Sequence, residues 1–349
     1  MNCMNLLNNY RKKIFRKRKN NEIENTILTE NKLFENNKNT VSNSYIDINK
    51  DIIVKDVVKK ENLILNYKII RELSKGYSGY VFLCENIETD DKTVVKCCYK
   101  YSSYQREINC LKILNHKNII RLKGIGKINQ EVKNKFIKPN DPLKYHIIPI
   151  EYAENGDLYS YLQNKGSLSE KVVKNIGLQI LEGLNYAFDF GISHRDIKLE
   201  NILLSKDNRI LIADWGLSAM NTNKRMCSTS CGTLGYMSPE MICRKKYYAE
   251  KSDIWALGVL FFSLLTDTRP YSEPLKRKDP FNDNDFSWKC DWLSAMIKKK
   301  WKLFWTSHER STNIIFNDDC KTMFEMIFDS DMTKRISIQN LLKYKWFKN

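Results

Sequence analysis

The stretch His194-Arg195-Asp196-Ile197-Lys198-Leu199-Glu200-Asn201 is the most informative part of this sequence. Two short β-branched runs follow it, at 202–204 and 209–213, and they predict a pair of strands. Directly after the second run comes Asp214-Trp215-Gly216. Charged and amide side chains therefore stand at both ends of a predicted strand pair.

Outward from this stretch, the earlier part of the chain favours strands and the later part favours helices. Ser102 followed by Gln105 fits a capping box at the start of one helix in the earlier part. The predicted strands are Tyr67–Leu73, Tyr80–Asn86, Lys92–Tyr99, Ile119–Ile125 and His146–Tyr152. The predicted helices are Ser102–Leu114, Ser169–Phe188 and Ser252–Leu265. We therefore expect two lobes with a cleft between them.

A glycine-containing run, Ser74-Lys75-Gly76-Tyr77-Ser78-Gly79-Tyr80-Val81, lies between two predicted strands. Glycines let a backbone approach phosphate oxygens and offer them N–H donors. An ordinary hairpin turn would use the same residues, so both interpretations stay open at this point. Because no helix follows the run, a dinucleotide-binding fold is disfavoured. The chain also has no G-x-x-x-x-G-K-[ST] run that could form a P-loop.

The composition limits the class of protein. Of 349 residues, 42% are hydrophobic, which excludes a wholly disordered chain. The longest apolar stretch, Ile254–Leu265, is too short to span a bilayer. Ten cysteines without a CxxC pair predict reduced thiols in an intracellular protein, cytoplasmic or nuclear. The net charge of +17 leaves nucleic acid, membrane surfaces, acidic partners and a polyphosphate substrate open.

The chain divides near residue 65. Residues 1–65 are rich in asparagine and begin with a basic run, 11–19, so we expect an extension that is largely disordered. Three interpretations of the basic run stay open: a solvated tail, a contact with an anionic lipid surface, and a signal bound by an import factor.

The motifs at 194–201 and 214–216 resemble those of the eukaryotic protein kinase family, together with Lys96 in Thr93-Val94-Val95-Lys96. The resemblance covers roughly residues 66 to 347. Within the family, the sequence is most similar to the calcium/calmodulin-dependent or Aurora-like branches. It implies an α+β, bilobal kinase domain over 66–349. The small β-rich N-lobe with one main helix would span 66–152, and the larger, mostly helical C-lobe 153–349.

The resemblance implies a Mg²⁺-dependent enzyme that transfers the γ-phosphate of ATP to Ser/Thr hydroxyls of protein substrates. Asp196 would orient the acceptor hydroxyl, and Lys198 would lie beside the transferring phosphate. Lys96 would hold the α- and β-phosphates and pair with Glu107. Asn201 and Asp214 would be the metal ligands. The catalytic residues are therefore expected to be Asp196, Lys198 and Lys96.

The same resemblance implies a nucleotide pocket. Ile150 would be the gatekeeper, the backbone of Glu151 and Ala153 would meet adenine, and Asp157 would reach the ribose. The full set of expected nucleotide-binding residues is Ser74, Lys75, Gly76, Tyr77, Ser78, Gly79, Val81, Val94, Lys96, Glu107, Ile150, Glu151, Ala153 and Asp157.

Some residues are expected to support the site rather than react. Glu240, in Ser238-Pro239-Glu240, is expected to pair with Arg335, and Asp253 to brace the catalytic-loop backbone. The sequence also departs from the family pattern. Ser74, Trp215 and Leu199 replace the usual Gly, Phe and Pro, and only eleven positions separate Lys96 from Glu107.

Cys231-Gly232-Thr233 is typical of Ser/Thr kinases, with Thr233 expected to bond Asp196 and Lys198. Glu200 and Asp157 resemble the acidic residues of kinases that prefer substrates with arginine upstream of the phosphorylated residue. Both acidic residues also occur in kinases without that preference, so the substrate preference of this chain stays open. The segment between Asp214 and Glu240 is the family's activation segment. Thr229, or alternatively Ser228, is its expected phosphosite, with Arg195 gripping the phosphate.

Two other classes of function remain as alternatives. A pseudokinase scaffold is disfavoured because Lys96, Asp196, Asn201 and Asp214 are all present. Specific nucleic-acid binding is not expected, since no recognised motif accompanies the charge. We expect a monomer. The insertions 129–144 and 272–290 have no assigned role.

Overall fold

The computed structural model describes residues 63–76, 79–128, 145–223, 225–272 and 291–348. These residues belong to a compact unit assigned to Ile52–Asn349; a separate unit, Met1–Asp51, lies outside the described residues. The predictions for the basic run, for insertion 129–144 and for 273–290 also lie outside them. No helix among the described residues is long and apolar enough to cross a membrane.

The earlier part of the described chain forms a six-stranded antiparallel sheet in the order β1-β2-β3-β4-β6-β5. The strands are β1 Leu63–Ile64, β2 Tyr67–Gly76, β3 Gly79–Asn86, β4 Lys92–Cys98, β5 Gly126–Ile128 and β6 Tyr145–Glu151. β1 lies on the N-terminal side of the expected boundary at residue 66 and pairs with β2. One side of the sheet packs in a small core that includes Phe82 and Val95.

The later part is mostly helical. Its helices are α2 Leu158–Lys165, α3 Glu170–Asp189, α4 Pro239–Ile242, α5 Ala249–Thr266, α6 Asp291–Ile297, α7 Trp301–Thr312, α8 Asp318–Ile327, α9 Ile338–Leu342 and α10 Lys345–Lys348. α5 is buried along almost its whole length, as its apolar sequence predicts, and packs against α3 and α8. A two-stranded sheet, β7 Ile202–Leu204 with β8 Ile210–Ile212, follows the loop 194–201, which we call the catalytic loop.

Helix α1, Tyr101–Ile113, packs against β6 and against the turn Trp215–Leu217. Its start corrects one prediction. The N-cap is Lys100, which makes no side-chain cap, and Gln105 donates instead to Asn109 Oδ1 at 2.8 Å. The capping box was wrong because the helix begins one residue before Ser102, which places Ser102 inside the first turn.

The predicted strand Ile119–Ile125 was also wrong. Leu122 makes a single bridge to Ile150. Regular pairing with β6 begins only at Gly126, opposite Ile147, and its register is shifted by one residue relative to that bridge. Lys123 N–H donates to the Pro149 carbonyl at 2.8 Å, but Pro149 has no N–H that could donate to the Lys123 carbonyl in turn. The ladder therefore breaks at Pro149, which periodicity alone does not reveal.

Candidate active site

The tip of the β2–β3 hairpin carries the glycine-containing run. Ser74 pairs with Val81, Lys75 with Tyr80 and Gly76 with Gly79. The run is thus the tip of a hairpin. The second strand of that hairpin, β3, pairs with β4, where Val81 lies opposite Lys96. Tyr77 and Ser78 lie outside the described residues.

Gly79 is required by the close packing of β3 against β4. Its φ is +143°, and a Cβ there would lie 1.8 Å from the Cys97 carbonyl oxygen. Gly76 differs, because a Cβ there would have nothing within 4 Å. Of these two glycines, only Gly79 is dictated by backbone conformation and contact.

The predicted ion pair between Lys96 and Glu107 is present. Lys96 Nζ lies 2.7 Å from both carboxylate oxygens of Glu107 and 2.9 Å from Asp214 Oδ1. The Lys96–Glu107 pair can form across only eleven positions because just two residues separate the end of β4 at Cys98 from the start of α1 at Tyr101.

The charges in this cluster reinforce one another. Lys96 holds the pKa of Asp214 at about 2, against the opposing effect of burial. Burial by itself would lower the pKa of Lys96, but Asp214 and Glu107 outweigh it, so that pKa is raised. Burial raises the pKa of Glu107, and the Lys96 ammonium opposes this. The Asp214 side chain is nonetheless 52% exposed, so an ionised carboxylate is open to solvent beside Lys96.

The catalytic loop is tied to α5 by Asp253, as predicted. The two carboxylate oxygens of Asp253 accept the backbone N–H groups of His194 and Arg195, each at 2.7 Å. Arg195 has a left-handed φ of 66°, a conformation that non-glycine residues rarely adopt. Asp253 thus stabilises the strained backbone immediately before Asp196.

Asp196 is the centre of a hydrogen-bond network. Thr233 Oγ1 donates to Asp196 Oδ1 at 2.8 Å, and Lys198 Nζ lies 2.9 Å from both Asp196 Oδ2 and Thr233 Oγ1. Asn201 Nδ2 donates to the Asp196 backbone carbonyl at 2.8 Å and to Oδ2 at 3.2 Å. The predicted contacts of Thr233 with Asp196 and Lys198 are therefore confirmed.

The two expected metal ligands fit a hard cation. With its amide nitrogen bonded to Asp196, Asn201 would offer its amide oxygen, and Asp214 would offer a carboxylate. Among the described residues no cluster of three or more His, Cys, Asp or Glu could hold a metal by itself. This donor set suits Mg²⁺, which usually binds through one or two carboxylates together with substrate phosphates.

Several of the expected nucleotide-binding residues meet where β4 pairs with β6. Val94 lies opposite Ile150, and both are buried, as is Ala153 just beyond the strand. The Glu151 side chain forms an ion pair with Arg209, with 2.9 Å between Glu151 Oε1 and Arg209 Nη2. Asp157 caps α2 by accepting the Ser160 N–H at 2.7 Å, so its contact with a ribose stays a prediction.

Sequence reasoning missed several residues that hold the segment 215–218, which follows Asp214, against α1. Ser103 Oγ donates to the Gly216 carbonyl at 3.3 Å, and Cys110 Sγ lies 2.9 Å from Ser218 Oγ. Trp215 is fully buried, packs edge-on against the His194 ring and donates its indole N–H to the Ile212 carbonyl at 3.2 Å. The sequence motif Asp214-Trp215-Gly216 included two of these residues, and Trp215 was noted as a departure from Phe, but their hydrogen bonds had no sequence signal.

The predicted pair of Glu240 and Arg335 is also present. The guanidinium of Arg335 makes two contacts with the Glu240 carboxylate, at 2.7 and 3.0 Å, and Arg335 is almost completely buried. A planar, bidentate pair of this kind fixes geometry as well as charge. It fastens the end of the activation segment to the helical lobe.

Comparison with known proteins agrees with this geometry. The chain matches the family profile described as "Protein kinase domain" over residues 67–347. It is 28% identical to a probable serine/threonine-protein kinase of Saccharomyces cerevisiae, HSL1, over 83% of this chain and 20% of that protein. It is also 28% identical to CBL-interacting protein kinase 15 of Oryza sativa, over 82% of this chain and 60% of that protein.

A third relative is the serine/threonine-protein kinase GIN4 of S. cerevisiae, 32% identical over 61% of this chain and 19% of that protein. The matched region therefore spans between a fifth and three fifths of these relatives' lengths. Because the family profile covers most of the chain and the relatives named here are protein kinases, this chain belongs to the protein kinase family, and its kinase domain is of the serine/threonine type.

Proposed function

We propose that this protein uses Mg-ATP to phosphorylate serine and threonine hydroxyls of protein substrates. One observation supports this most directly: Lys96, Asp196, Asn201 and Asp214 are all present, and the side chains of Lys198 and Thr233 converge on Asp196. A scaffold without catalysis would not need this arrangement. The pseudokinase alternative is therefore not favoured.

Each residue has a separate task in the proposed reaction. Asp196 accepts the hydrogen bond of the incoming hydroxyl and orients it for attack, and Lys198 stabilises the negative charge that develops on the transferred group. Lys96, itself oriented by Glu107, holds the α- and β-phosphates. Mg²⁺, when bound by Asn201 and Asp214, would neutralise phosphate charge.

Thr233 supports the assignment to hydroxyl acceptors of the Ser/Thr type. Its hydroxyl bonds both Asp196 and Lys198, so the activation segment lies beside the proposed catalytic carboxylate at this residue. The exposed Glu200 and the half-buried Asp157 remain candidates for contacting a basic residue upstream of the phosphosite. We further propose an intracellular, monomeric enzyme that acts in the cytoplasm or nucleus.

The test uses purified full-length protein, Mg-ATP and an array of Ser, Thr and Tyr peptides. Asp196→Asn should lower turnover on the order of 10²- to 10⁴-fold while leaving nucleotide affinity nearly unchanged, because Asp196 orients the hydroxyl rather than ATP. Asp214→Asn should weaken Mg-ATP binding as well, since it removes the charge of a metal ligand.

Asp318→Asn, at an exposed position on α8, is the matched control and should change neither quantity. Turnover would be followed by incorporation of labelled phosphate, and nucleotide affinity by calorimetric titration. A wild-type protein that neither binds Mg-ATP nor phosphorylates any peptide would contradict the proposal.

A further inference from the structure

Arg269, just after the end of α5, lies with its guanidinium against Gly235 of the activation segment. A Cβ on Gly235 would lie 2.0 Å from Arg269 Nη1 and 3.1 Å from Arg269 Cζ, so a side chain at this position would collide with the guanidinium. A glycine at position 235 therefore makes room for the cation. Arg269 is nevertheless an exposed residue, so a ligand in solvent can reach it.

The backbone on both sides of Arg269 is held in place. Before it, Thr266 Oγ1 accepts the Thr268 N–H at 3.2 Å and lies 2.9 Å from the Thr268 carbonyl oxygen. After it, Tyr271 is buried, and Trp255 Nε1 donates to the Tyr271 hydroxyl at 2.8 Å. The fold thus presents the guanidinium from a fixed turn that is tied to the buried helix α5.

Gly235 lies close to the proposed catalytic carboxylate. Thr233 Oγ1 donates to Asp196 Oδ1 at 2.8 Å, and Gly235 follows two residues later. Two peptide units span at most about 7 Å, so the Arg269 guanidinium lies on the order of 10 Å from the Asp196 carboxylate. Because an extended peptide advances about 3.3 Å per residue, a substrate side chain about two to four residues from the acceptor hydroxyl can reach Arg269.

The charges around Tyr236, the residue after Gly235, are consistent with this placement. Burial raises the pKa of the Tyr236 phenol to about 12; the Glu200 charge adds to this effect, and the Arg269 charge opposes it. Glu200 is a candidate contact for a basic substrate residue. Arg269 offers the same part of the surface a contact of the opposite preference.

A guanidinium at this place selects for anions. Its planar set of N–H donors matches a carboxylate or a phosphate, which it can bind through two parallel hydrogen bonds. A lysine or arginine of the substrate would be repelled by the same charge. Because Arg269 is exposed and screened by salt, we expect the contact to change substrate affinity by a small factor, about three- to fivefold.

We propose that Arg269 is a specificity-determining residue: its guanidinium, lying against Gly235, binds an acidic side chain of the protein substrate near the hydroxyl to be phosphorylated. This rests on the proposed function and names a chemical feature of its substrates. The carboxylates of Asp and Glu share the required chemistry with a phosphate that the substrate already carries, and the tests distinguish these two sources.

The first test compares variants of one parent peptide that full-length protein phosphorylates. Glu, Gln, Lys or phosphoserine replaces each residue in turn within about four positions of the acceptor. At one or two of these positions kcat/KM for Glu should exceed that for Gln about three- to fivefold, and Lys should be disfavoured. A further gain with phosphoserine would identify substrates phosphorylated beforehand, whereas a loss with phosphoserine would identify carboxylates.

The second test removes or reverses the charge. In Arg269→Met the ratio of kcat/KM for Glu over Gln should fall to about one, and Arg269→Glu should favour Lys at the same position. The loss should appear in the KM for the acidic peptide rather than in kcat, because the contact binds the substrate and takes no part in the transfer. Arg310→Met, at an exposed position on α7, is the matched control and should keep the wild-type ratio.

The third test moves the guanidinium and keeps its charge. Gly235→Ala places a Cβ where Arg269 Nη1 now lies, so the preference for Glu should weaken. Thermal unfolding should change little, because the far end of an exposed side chain can move aside. In an Arg269→Met background, Gly235→Ala should cause no further change of the ratio. The wild-type ratio should also fall as the salt concentration rises.

The outcomes separate the two proposals. Equal kcat/KM for Glu, Gln and Lys at every position would overturn the inference about Arg269 and leave the kinase function standing. An acidic preference that survives in Arg269→Met would overturn it as well. A wild-type protein that phosphorylates no peptide and binds no Mg-ATP would instead overturn the proposed function.

Discussion

The catalytic loop and the β2–β3 hairpin both carry expected site residues, yet they are held in opposite ways. His194, Arg195, Asp196 and Asn201 are each at most 8% exposed, and the loop is anchored to the central helix through Asp253. In the hairpin, residues 70–76 of β2 are exposed, and the described part of the tip is held mainly by strand pairing.

This difference fits the tasks that we propose for the two regions. A group that orients a reacting hydroxyl must be held accurately before the substrate arrives, because a small displacement of that group lowers the reaction rate by a large factor. A segment that closes over a nucleotide must also open, and such segments come from the less stable parts of a fold. We therefore expect substitutions at the anchor of the loop to be severe and most substitutions in the hairpin to be mild.

The largest effect is expected at the anchor. Asp253→Asn replaces one acceptor oxygen by an NH₂ group, so either the His194 or the Arg195 N–H loses its partner in a buried site. The free energy of unfolding should fall by about 2–4 kcal/mol, and kcat should fall on the order of a hundredfold. Denaturant unfolding and steady-state kinetics measure the two effects.

Asp267→Asn, at the exposed C-terminal end of the same helix, is the control. Asparagine tolerates the left-handed conformation found there, with φ of 58°, so stability should change by no more than about 0.5 kcal/mol. Equal effects of the two substitutions would mean that Asp253 is not a specific anchor.

Within the hairpin, the two glycines provide the next comparison. Gly79→Ala would force a Cβ against the Cys97 carbonyl at a φ that L-residues rarely adopt. It should cost about 1–3 kcal/mol of stability and raise the KM for ATP several-fold. Gly76→Ala, with open space around it, should stay within about 0.5 kcal/mol. Indistinguishable thermal unfolding and ATP kinetics for the two variants would contradict this assignment.

The smallest effect is expected at Ser74, where the family usually has glycine. Ser74 is exposed and sits where the register of β2 against β3 is irregular, between Glu72 and Ser74. Ser74→Gly should lower stability by about 0.5–1 kcal/mol through chain entropy and change the KM for ATP less than about threefold. Ser74→Ala, which has no such entropy cost, separates flexibility from loss of the hydroxyl in the same assays.

Much of the site could be predicted because its residues lie in short, ordered motifs. The contacts of Lys96 with Glu107, of Thr233 with Asp196, and of Glu240 with Arg335 were all expected and are present. The errors were local. The helix start at Tyr101 and the break at Pro149 depend on hydrogen-bond partners that a periodicity pattern does not contain.

By itself the sequence determined the α+β, two-lobed fold and the residues that we propose carry the chemistry, because strand and helix periodicity and motif spacing are encoded over short distances along the chain. Only the tertiary structure decided how those residues are held. Asp253 bonds Arg195 across 58 positions, and Tyr247 meets Thr229 across 18, in contacts between elements that approach only when the core is packed. Which groups hold the activation segment is therefore set by burial and hydrogen-bond geometry, since most buried polar groups pair with whatever the fold brings beside them.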